Sequence, residues 1–500
     1  MVSIQQLRKK HRCAHIVRLQ EEHPRIILIG LFSLCFIWPL ASAIFIICFD
    51  VYWLIKISYL SVYLTHSHRV LQKNIKIDWL AKCKKFPHYK DIYHLVILPT
   101  YKEKIDVIEP TFLALLNSHY PKDKIIVVLA TEERDKENAK EVSQIIQEKF
   151  GDKFHHLMIT VHPKDIVGEI AGKGSNETWA AKQVKKIIDE KKIPYENIIV
   201  SVLDIDTCVH PQYLGCLSWH YLNTNDPLRA SYQPVPMYFN NIWDSPALMR
   251  VIAFNTTFWQ MMQQGRPESL CTFSSHAMSF KTLVDVGFWH TDIVSEDSNI
   301  FWQCFTHYSG NYRVIPLLIP VYMDTVLADT LKQSIINQYK QQRRWAYGAE
   351  NIPYVFYQFT KNRAIPFLKK LIQGFILFDG SVSWATNALI LFFLGWLPLL
   401  VGGEAYQTTV LAQSLPFVVQ ILMTLAMIGL LSSATLSLLL LPKRPKKYGR
   451  FNMMFMLLQW LLLPLSTIIL GAIPALDAQS RLMLGKYMGF WVTEKARKKD

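Results

Sequence analysis

Cysteine frameworks and repeats are what this sequence lacks. Its eight cysteines are scattered, with no Cys-x-x-Cys pair and no zinc-like spacing. That excludes a disulfide scaffold and a structural zinc site. Cys35 and Cys48 lie in an apolar run and read as buried apolar residues in a reducing compartment. No small-residue cleavage site follows the first apolar run near residue 26, so no cleavable signal peptide is expected. Internal repeats and low-complexity segments are absent. Charge is sparse at 19%, whereas hydrophobic residues make up 51% and aromatic residues 13%, with mean hydropathy +0.14. Five hundred residues exceed one ordinary core. Part of so apolar a chain should sit in lipid.

The formal net charge of +15 raises the question of nucleic acid. The positions of the charges argue against it. Arg8, Lys9, Lys10 and Arg12 precede the first apolar run. Lys443, Arg444, Lys446, Lys447 and Arg450 share one loop, and Lys495, Arg497, Lys498 and Lys499 end the chain. Basic clusters beside apolar segments follow the positive-inside rule and fit a lipid bilayer as partner, with no nucleic acid.

Residues 26–64 are almost continuously apolar, broken by Pro39, Asp50 and Lys56. At ~1.5 Å per residue a straight helix this long exceeds a ~30 Å hydrocarbon core. The run is either one helix leaving the membrane or a hairpin turning near Pro39. From about 66 to 330, short apolar runs alternate with helical patterns. The runs are Leu95–Leu98, Ile125–Leu129 and Ile198–Leu203; helices are expected over 136–149 and 176–190. This alternation predicts a mostly parallel sheet with crossovers, which binds ligands at the carboxyl ends of its strands. Residues 331–350 and 364–380 read as amphipathic interface helices. Membrane candidates follow near 384–402, 411–441 and 451–476. The resulting organisation is a basic cytoplasmic N-terminus (1–25), N-terminal membrane segments (26–64), and a cytoplasmic α/β domain (65–330). Interface helices (331–380), membrane helices (381–476) and a cytoplasmic C-terminal segment (477–500) complete it.

Polar motifs stand at the ends of the apolar runs. In extended backbone, Asp204 and Asp206 share a face, and paired hard oxygens suit Mg²⁺ or Mn²⁺ carrying a diphosphate. A strand end with a polar turn explains Asp204-Ile205-Asp206 equally well. Ser295-Glu296-Asp297 reads as a helix cap with an acidic first turn, or as the site of a general base. Gln341, Arg344 and Trp345 share one helical face, while Arg343 points away. A guanidinium suits phosphate oxygens and an indole stacks on a sugar ring, but Arg and Trp are also ordinary membrane-interface anchors. Lys173-Gly174-Ser175-Asn176 opens a helix, with Ser175 or Asn176 as its cap; Lys173 there could reach a diphosphate.

Taken in order, Pro99-Thr100-Tyr101-Lys102-Glu103, Lys173-x-x-Asn176, Asp204-x-Asp206, Glu296-Asp297 and Gln341-x-x-Arg344-Trp345 resemble glycosyltransferase family 2. The resemblance is closest to its membrane-embedded processive branch, which includes cellulose and hyaluronan synthases. Phe490-Trp491-Val492-Thr493-Glu494-Lys495 looks like the Phe-x-Val-Thr-x-Lys gating loop of bacterial cellulose synthase. The resemblance implies an α/β GT-A-type, Rossmann-like catalytic domain joined to α-helical membrane segments. It implies a UDP- or GDP-hexose donor, Mg²⁺ or Mn²⁺, and a polysaccharide or lipid-linked acceptor.

Residue by residue, it implies that Thr100, Tyr101 and Glu103 line the nucleotide pocket. Asp204 and Asp206 bind diphosphate and metal. Asp297 is the catalytic base, with Glu296 beside it. Lys173, Gln341 and Arg344 hold the diphosphate, Trp345 meets the acceptor, and Thr493 and Lys495 close over the donor. One departure is Ala130-Thr131-Glu132-Glu133-Arg134-Asp135, where the family has an Asp-Asp-Gly-like strand end; Glu132 or Glu133 substitutes. Another is that the gating-loop motif follows the last apolar segment. A cytoplasmic position for it requires 451–476 to be re-entrant at Pro464, or 371–402 to cross twice.

The expectation is therefore a multi-pass integral membrane enzyme of the plasma or inner membrane with a cytoplasmic catalytic domain. It performs inverting transfer to a growing polysaccharide. The alternatives are one-sugar transfer to a lipid-linked acceptor and, more remotely, an inactive scaffold or a transporter.

Overall fold

The computed structural model describes residues 23–449, 451–486, 488, 489, 491 and 497. An eight-stranded mixed sheet organises the chain from Tyr93 to Tyr322. Its strands are β1 (Tyr93–Pro99), β2 (Ile125–Glu132), β3 (His156–His162), β4 (Ile198–Val202), β5 (Cys208–Val209), β6 (Ala230–Met237), β7 (Ala277–Ser279) and β8 (Arg313–Tyr322). Their spatial order is β3-β2-β1-β4-β7-β6-β8-β5. The four strands β3, β2, β1 and β4 are parallel throughout, as the alternating pattern predicts. The other half departs from that prediction. Three-residue β7 returns antiparallel between β4 and β6, and β5 is antiparallel to β8. So short a strand gives no sequence signal of its own.

Helices of eight or more residues are numbered α1 to α14. Within and beside the sheet lie α3 (Ile105–Leu116), α4 (Lys136–Phe150), α5 (Lys173–Glu190), α6 (Tyr213–Asn223), α7 (Ala247–Gln264), α8 (Glu296–His307), α9 (Leu331–Ala346) and α10 (Asn351–Lys361). Strands covered on both faces read as unbroken apolar runs, and here they are. Leu95, Ile97, Val128 and Val200 pack with Ala180, Val184 and Ile188 of α5 and Ile300 and Phe301 of α8. The alternate residues Val96, Leu98, Val127 and Ile199 pack with Phe112 of α3, Ile146 of α4 and Leu214 of α6. The register levels the strand ends: Pro99 pairs with Ala130, and Ile97 with Val202. Thr100, Glu132 and Asp204 therefore leave the sheet along one edge.

The apolar helices are α1 (His23–Ile37), α2 (Pro39–Asn74), α11 (Phe367–Leu389), α12 (Val410–Leu440), α13 (Phe451–Leu458) and α14 (Ile473–Met483). The first apolar run divides at Trp38, because Pro39 begins a new helix where its missing N–H costs nothing. Among the described residues, four helical stretches are long and apolar enough to cross a membrane: Pro39–Asn74, Phe367–Leu394, Val410–Leu440 and Phe451–Met483. The interface helix expected over 364–380 and the crossing expected from 384 form one continuous helix. Pro366 precedes it, and the next proline is Pro398, so nothing breaks it. Lys56 of α2 and Asp379 of α11 pair at 3.2 Å, a polar tie of the kind that joins apolar helices.

The stretch Phe451–Met483 and the loop before it touch the α/β domain and α9 at several points. Ahead of it, Trp243 Nε1 donates to the Pro442 carbonyl at 3.3 Å and Lys447 pairs with Asp244 at 3.3 Å. Midway, Arg250 of α7 donates to Gln459 at 2.7 Å and Trp460 stacks on Phe258 at 5.9 Å. Near its end, Asp477 accepts from Arg343 of α9 at 2.8 Å. A 3₁₀ turn at Gln459–Leu462 immediately precedes Pro464. The sequence gives no sign that α7 meets this stretch.

Candidate active site

Lys173, the first residue of α5, is the centre of the site. Its Nζ lies 2.9 and 2.8 Å from the two carboxylate oxygens of Asp297 and 2.8 Å from Asp204 Oδ1. Glu177, one turn on, lies 3.4 Å away and Glu296 3.8 Å away. The lysine side chain is 8% exposed, Glu177 0% and Glu296 2%, whereas Asp204 and Asp297 open to the cleft at 27% and 21%. Burial pulls the ammonium down, but Asp204, Asp297, Glu177 and Glu296 outweigh it and hold Lys173 well above the ordinary lysine range. Burial and the charge of Asp297 push Glu296 up to about 8, against the pull of Lys173 and Arg344. Burial likewise pushes Glu177 well up.

Local chemistry explains how α5 comes so close. A Cβ on Gly174 would stand 3.0 Å from Glu296 Cβ and 3.1 Å from the His290 carbonyl oxygen, so only glycine lets α5 approach α8 here. Ser175 and Asn176 do not cap the helix, contrary to expectation. Ser175 Oγ donates to the Ile170 carbonyl at 2.6 Å, and Asn176 Nδ2 to the Ala130 carbonyl at 2.7 Å. They fasten the first turn to the neighbouring loop and to β2. Ser295 does precede α8, but its hydroxyl donates to Glu350 at 2.8 Å. Fully buried Glu350 also accepts the Val294 and Ser295 amides, each at 2.9 Å. That carboxylate, 53 residues beyond Asp297 in sequence, orients the Glu296-Asp297 pair.

The extended-strand argument for Asp204 and Asp206 does not hold. β4 ends at Val202, and Thr207 N–H donates to the Asp204 carbonyl at 2.8 Å, closing a turn. The carboxylates part as a result. Asp204 Oδ2 accepts from Ser274 at 2.8 Å on the cleft side. Asp206 is buried, and its Oδ2 accepts the Asp324 amide at 2.8 Å. A hard divalent cation fits the oxygen chemistry of this edge, where Asp204 offers an accessible carboxylate. The neighbouring group of Glu177, Glu296 and Asp297 has oxygens within 4.8 Å of one another, a metal-like spacing. Lys173 Nζ already supplies the cation there.

The remaining expected residues fall into two groups around this centre. Thr100 Oγ1 and the Tyr101 amide both donate to Glu103, at 2.9 and 2.6 Å. Asp135 accepts the Lys102 amide at 2.8 Å, tying the loop after β1 to the one after β2; Lys102 has φ 71. Glu132 is buried and pairs with Arg134, whose guanidinium covers the Tyr101 ring at 4.4 Å. Glu133 instead accepts the Lys164 amide at 3.0 Å. On α9, Trp345 packs against Tyr238 and Phe273 at 6.0 and 5.8 Å. Gln341 accepts from Gln338 at 3.1 Å. Arg344 is close enough to pull on both Glu296 and Tyr238, while Arg343 turns to Asp477. Gln342 is buried. Thr493 and Lys495 lie outside the described residues.

Sequence reasoning missed Glu177, Tyr238, Ser274, His276 and Glu350. Buried Tyr238 sits near Asp204 and Asp206, and burial raises its hydroxyl well above the ordinary range. His276 Nδ1 lies 3.1 Å from the Phe273 carbonyl and 3.6 Å from Asp297; burial lowers it.

Residues 199–475, more than half of the chain, match the model of the family described as glycosyl transferase family group 2. The chain belongs to that family. Its GT-A-like fold is the mixed sheet described above, with the matched region running from β4 into the last apolar stretch. Among solved structures, the mannosyltransferase PcManGT from Pyrobaculum calidifontis, in complex with GDP-Man and Mn²⁺, is 16% identical. It covers 81% of this chain and 99% of its own at TM-score 0.40. S. aureus TarS 1–349 is 12% identical, covering 69% and 90% at TM-score 0.36. Likenesses this weak carry no argument about substrate or metal. No curated protein matches.

Proposed function

We propose that this family 2 glycosyltransferase is membrane-bound, inverting, and extends a polysaccharide from a UDP- or GDP-hexose. The observation that carries the reading is Lys173, which ties Asp204 at a strand end to Asp297 at a helix start, each at 2.8–2.9 Å. A diphosphate-binding group and a base are thereby held at one place, at the sheet edge where such folds bind ligands.

Asp297 takes the proton of an acceptor hydroxyl, and that oxygen attacks the anomeric carbon from the face opposite the diphosphate. The bond from anomeric carbon to diphosphate oxygen breaks, and the nucleoside diphosphate leaves. Glu296, pushed up to about 8 by burial and Asp297, holds its proton at neutral pH and is no base there. Lys173 and Arg344 supply fixed positive charge for the departing group. Asp204 would hold Mg²⁺ or Mn²⁺, with Asp206 in the same turn, and the ion would supply Lewis-acid stabilisation of the same charge. Trp345, between Tyr238 and Phe273, offers an aromatic surface to the acceptor sugar.

The contacts of Phe451–Met483 support a topology for the cytoplasmic reading. Its approach, middle and end all meet the α/β domain. It lies along the membrane interface, and Phe367–Leu394 and Val410–Leu440 make the out-and-back pair. The chain end then stays on the catalytic side.

The test is purified protein in lipid nanodiscs with radiolabelled UDP- and GDP-hexoses and Mn²⁺, with product length resolved. A polymer ladder supports the reading; a single sugar on lipid overturns processivity, and no transfer from any donor overturns the activity.

A further inference from the structure

Arg497 stands 22 residues beyond the end of the family match, yet it reaches the heart of the site. Its Nε donates to both Asp324 oxygens at 3.2 and 3.0 Å, and its Nη2 to Asp324 Oδ1 at 2.8 Å. Nη2 also lies 3.4 Å from the Asp206 carbonyl oxygen. Asp324 follows β8 directly, has a side chain 0% exposed, and donates its own amide to Asp206 Oδ2. Asn240 bridges the same two residues, giving its Nδ2 to the Asp206 carbonyl at 3.0 Å and to Asp324 Oδ1 at 2.9 Å. The turn that presents Asp204 thus rests on three other chain segments, and one of them is the C-terminal arm.

The arm has waypoints. The Met488 amide reaches the Tyr347 hydroxyl at 3.4 Å, and Lys340 Nζ lies over the Trp491 ring at 5.1 Å. Lys340 belongs to α9, the helix of Gln341, Arg344 and Trp345, and Tyr347 follows it directly.

We propose that Asp324 and Arg497 are positioning residues for donor binding: a latch in which their ion pair holds the Asp206 turn in place. This rests on the reading that Asp204 and Arg344 meet the donor diphosphate. Removing one partner of a buried, hydrogen-bonded charge pair leaves the other uncompensated.

The test is a double-mutant cycle, Asp324→Asn, Arg497→Gln and both, in full-length protein in nanodiscs. Each single variant should raise donor KM about tenfold or more with kcat within a few-fold. The double variant should be no worse than the poorer single, because one interaction is lost once. Arg497→Lys should recover part of the KM. Trypsin cleavage after Arg497 should accelerate in Asp324→Asn, since the guanidinium is released. Unchanged cleavage shows that there is no latch. Faster cleavage with unchanged donor KM, or additive losses in the double variant, overturns its role in donor binding. A wild-type protein that binds no nucleotide sugar sinks the transferase reading and this role together, while the cleavage result still reports the contact.

Discussion

Lys173 and Arg497 both stand at the carboxyl edge of the sheet, one buried and one half-buried, and they are kept in opposite ways. Lys173 has four carboxylates within 3.8 Å and cannot neutralise them all. Arg497 is ion-paired with Asp324, which accepts from it three times. The first cluster is unbalanced, so it must hold protons or admit a ligand. The second is balanced, so it can hold geometry. Imbalance marks where the chemistry belongs, and balance marks what supports it.

Substitutions should separate these two regions, beginning with the largest effect. Asp297→Asn should lower kcat by roughly 10²- to 10⁴-fold with the protein folded and donor affinity retained. Nearly full turnover in that variant would move the base elsewhere and dissolve the contrast. Next come the paired arginines of α9. Arg344→Ala should cost about a hundredfold in kcat/KM through lost charge stabilisation. Arg343→Ala breaks the Asp477 pair at 2.8 Å and should cost less than about tenfold. Equal losses would show that the helical-face division is wrong.

Gly174→Ala probes packing in the Lys173 region without touching charge. The new methyl meets Glu296 Cβ at 3.0 Å and a carbonyl oxygen at 3.1 Å, so about 1–3 kcal/mol of stability should be lost, read as a lower denaturant midpoint. An unchanged midpoint would mean that α5 and α8 are less tightly apposed.

The smallest effect is a pH dependence. Glu296 ionises at its ordinary value of 4.5 when unfolded and near 8 when folded, because of burial and Asp297. The folded state binds the extra proton between these values, so stability falls as pH rises from 4.5 towards 8 and levels off above. Tm measured across that window should decline, and Glu296→Gln should flatten the decline. A Tm that rises with pH in wild type but not in Glu296→Gln would reverse the assignment.

The parallel half of the sheet was legible because β1, β2 and β4 are apolar runs ending in Thr100, Glu132 and Asp204. The helical face of Arg344 and Trp345 was legible because three- and four-residue spacing is local. The supports were not. Glu350 holds Ser295 from 55 residues away, and Asp324 holds Asp206 from 118 away, so no window of sequence contains either pair. Ser175 and Asn176 carry cap chemistry but spend it on tertiary partners. Asp204-Ile205-Asp206 misled because the i, i+2 rule applies only while the strand lasts, and it stops at Val202. Arg497 read as one more flanking charge, since its partner is defined by the fold alone.

The central claim is that Asp204, Lys173 and Asp297 form one site for a nucleotide sugar. Its most direct test is the Tm of the purified protein titrated with UDP- and GDP-hexoses in Mn²⁺, compared among wild type, Asp204→Asn and Asp297→Asn. A bound donor should raise Tm with concentration by mass action in wild type and in Asp297→Asn, and fail to do so in Asp204→Asn. A donor-dependent rise of equal size in Asp204→Asn, or none in wild type with any donor, would contradict the account.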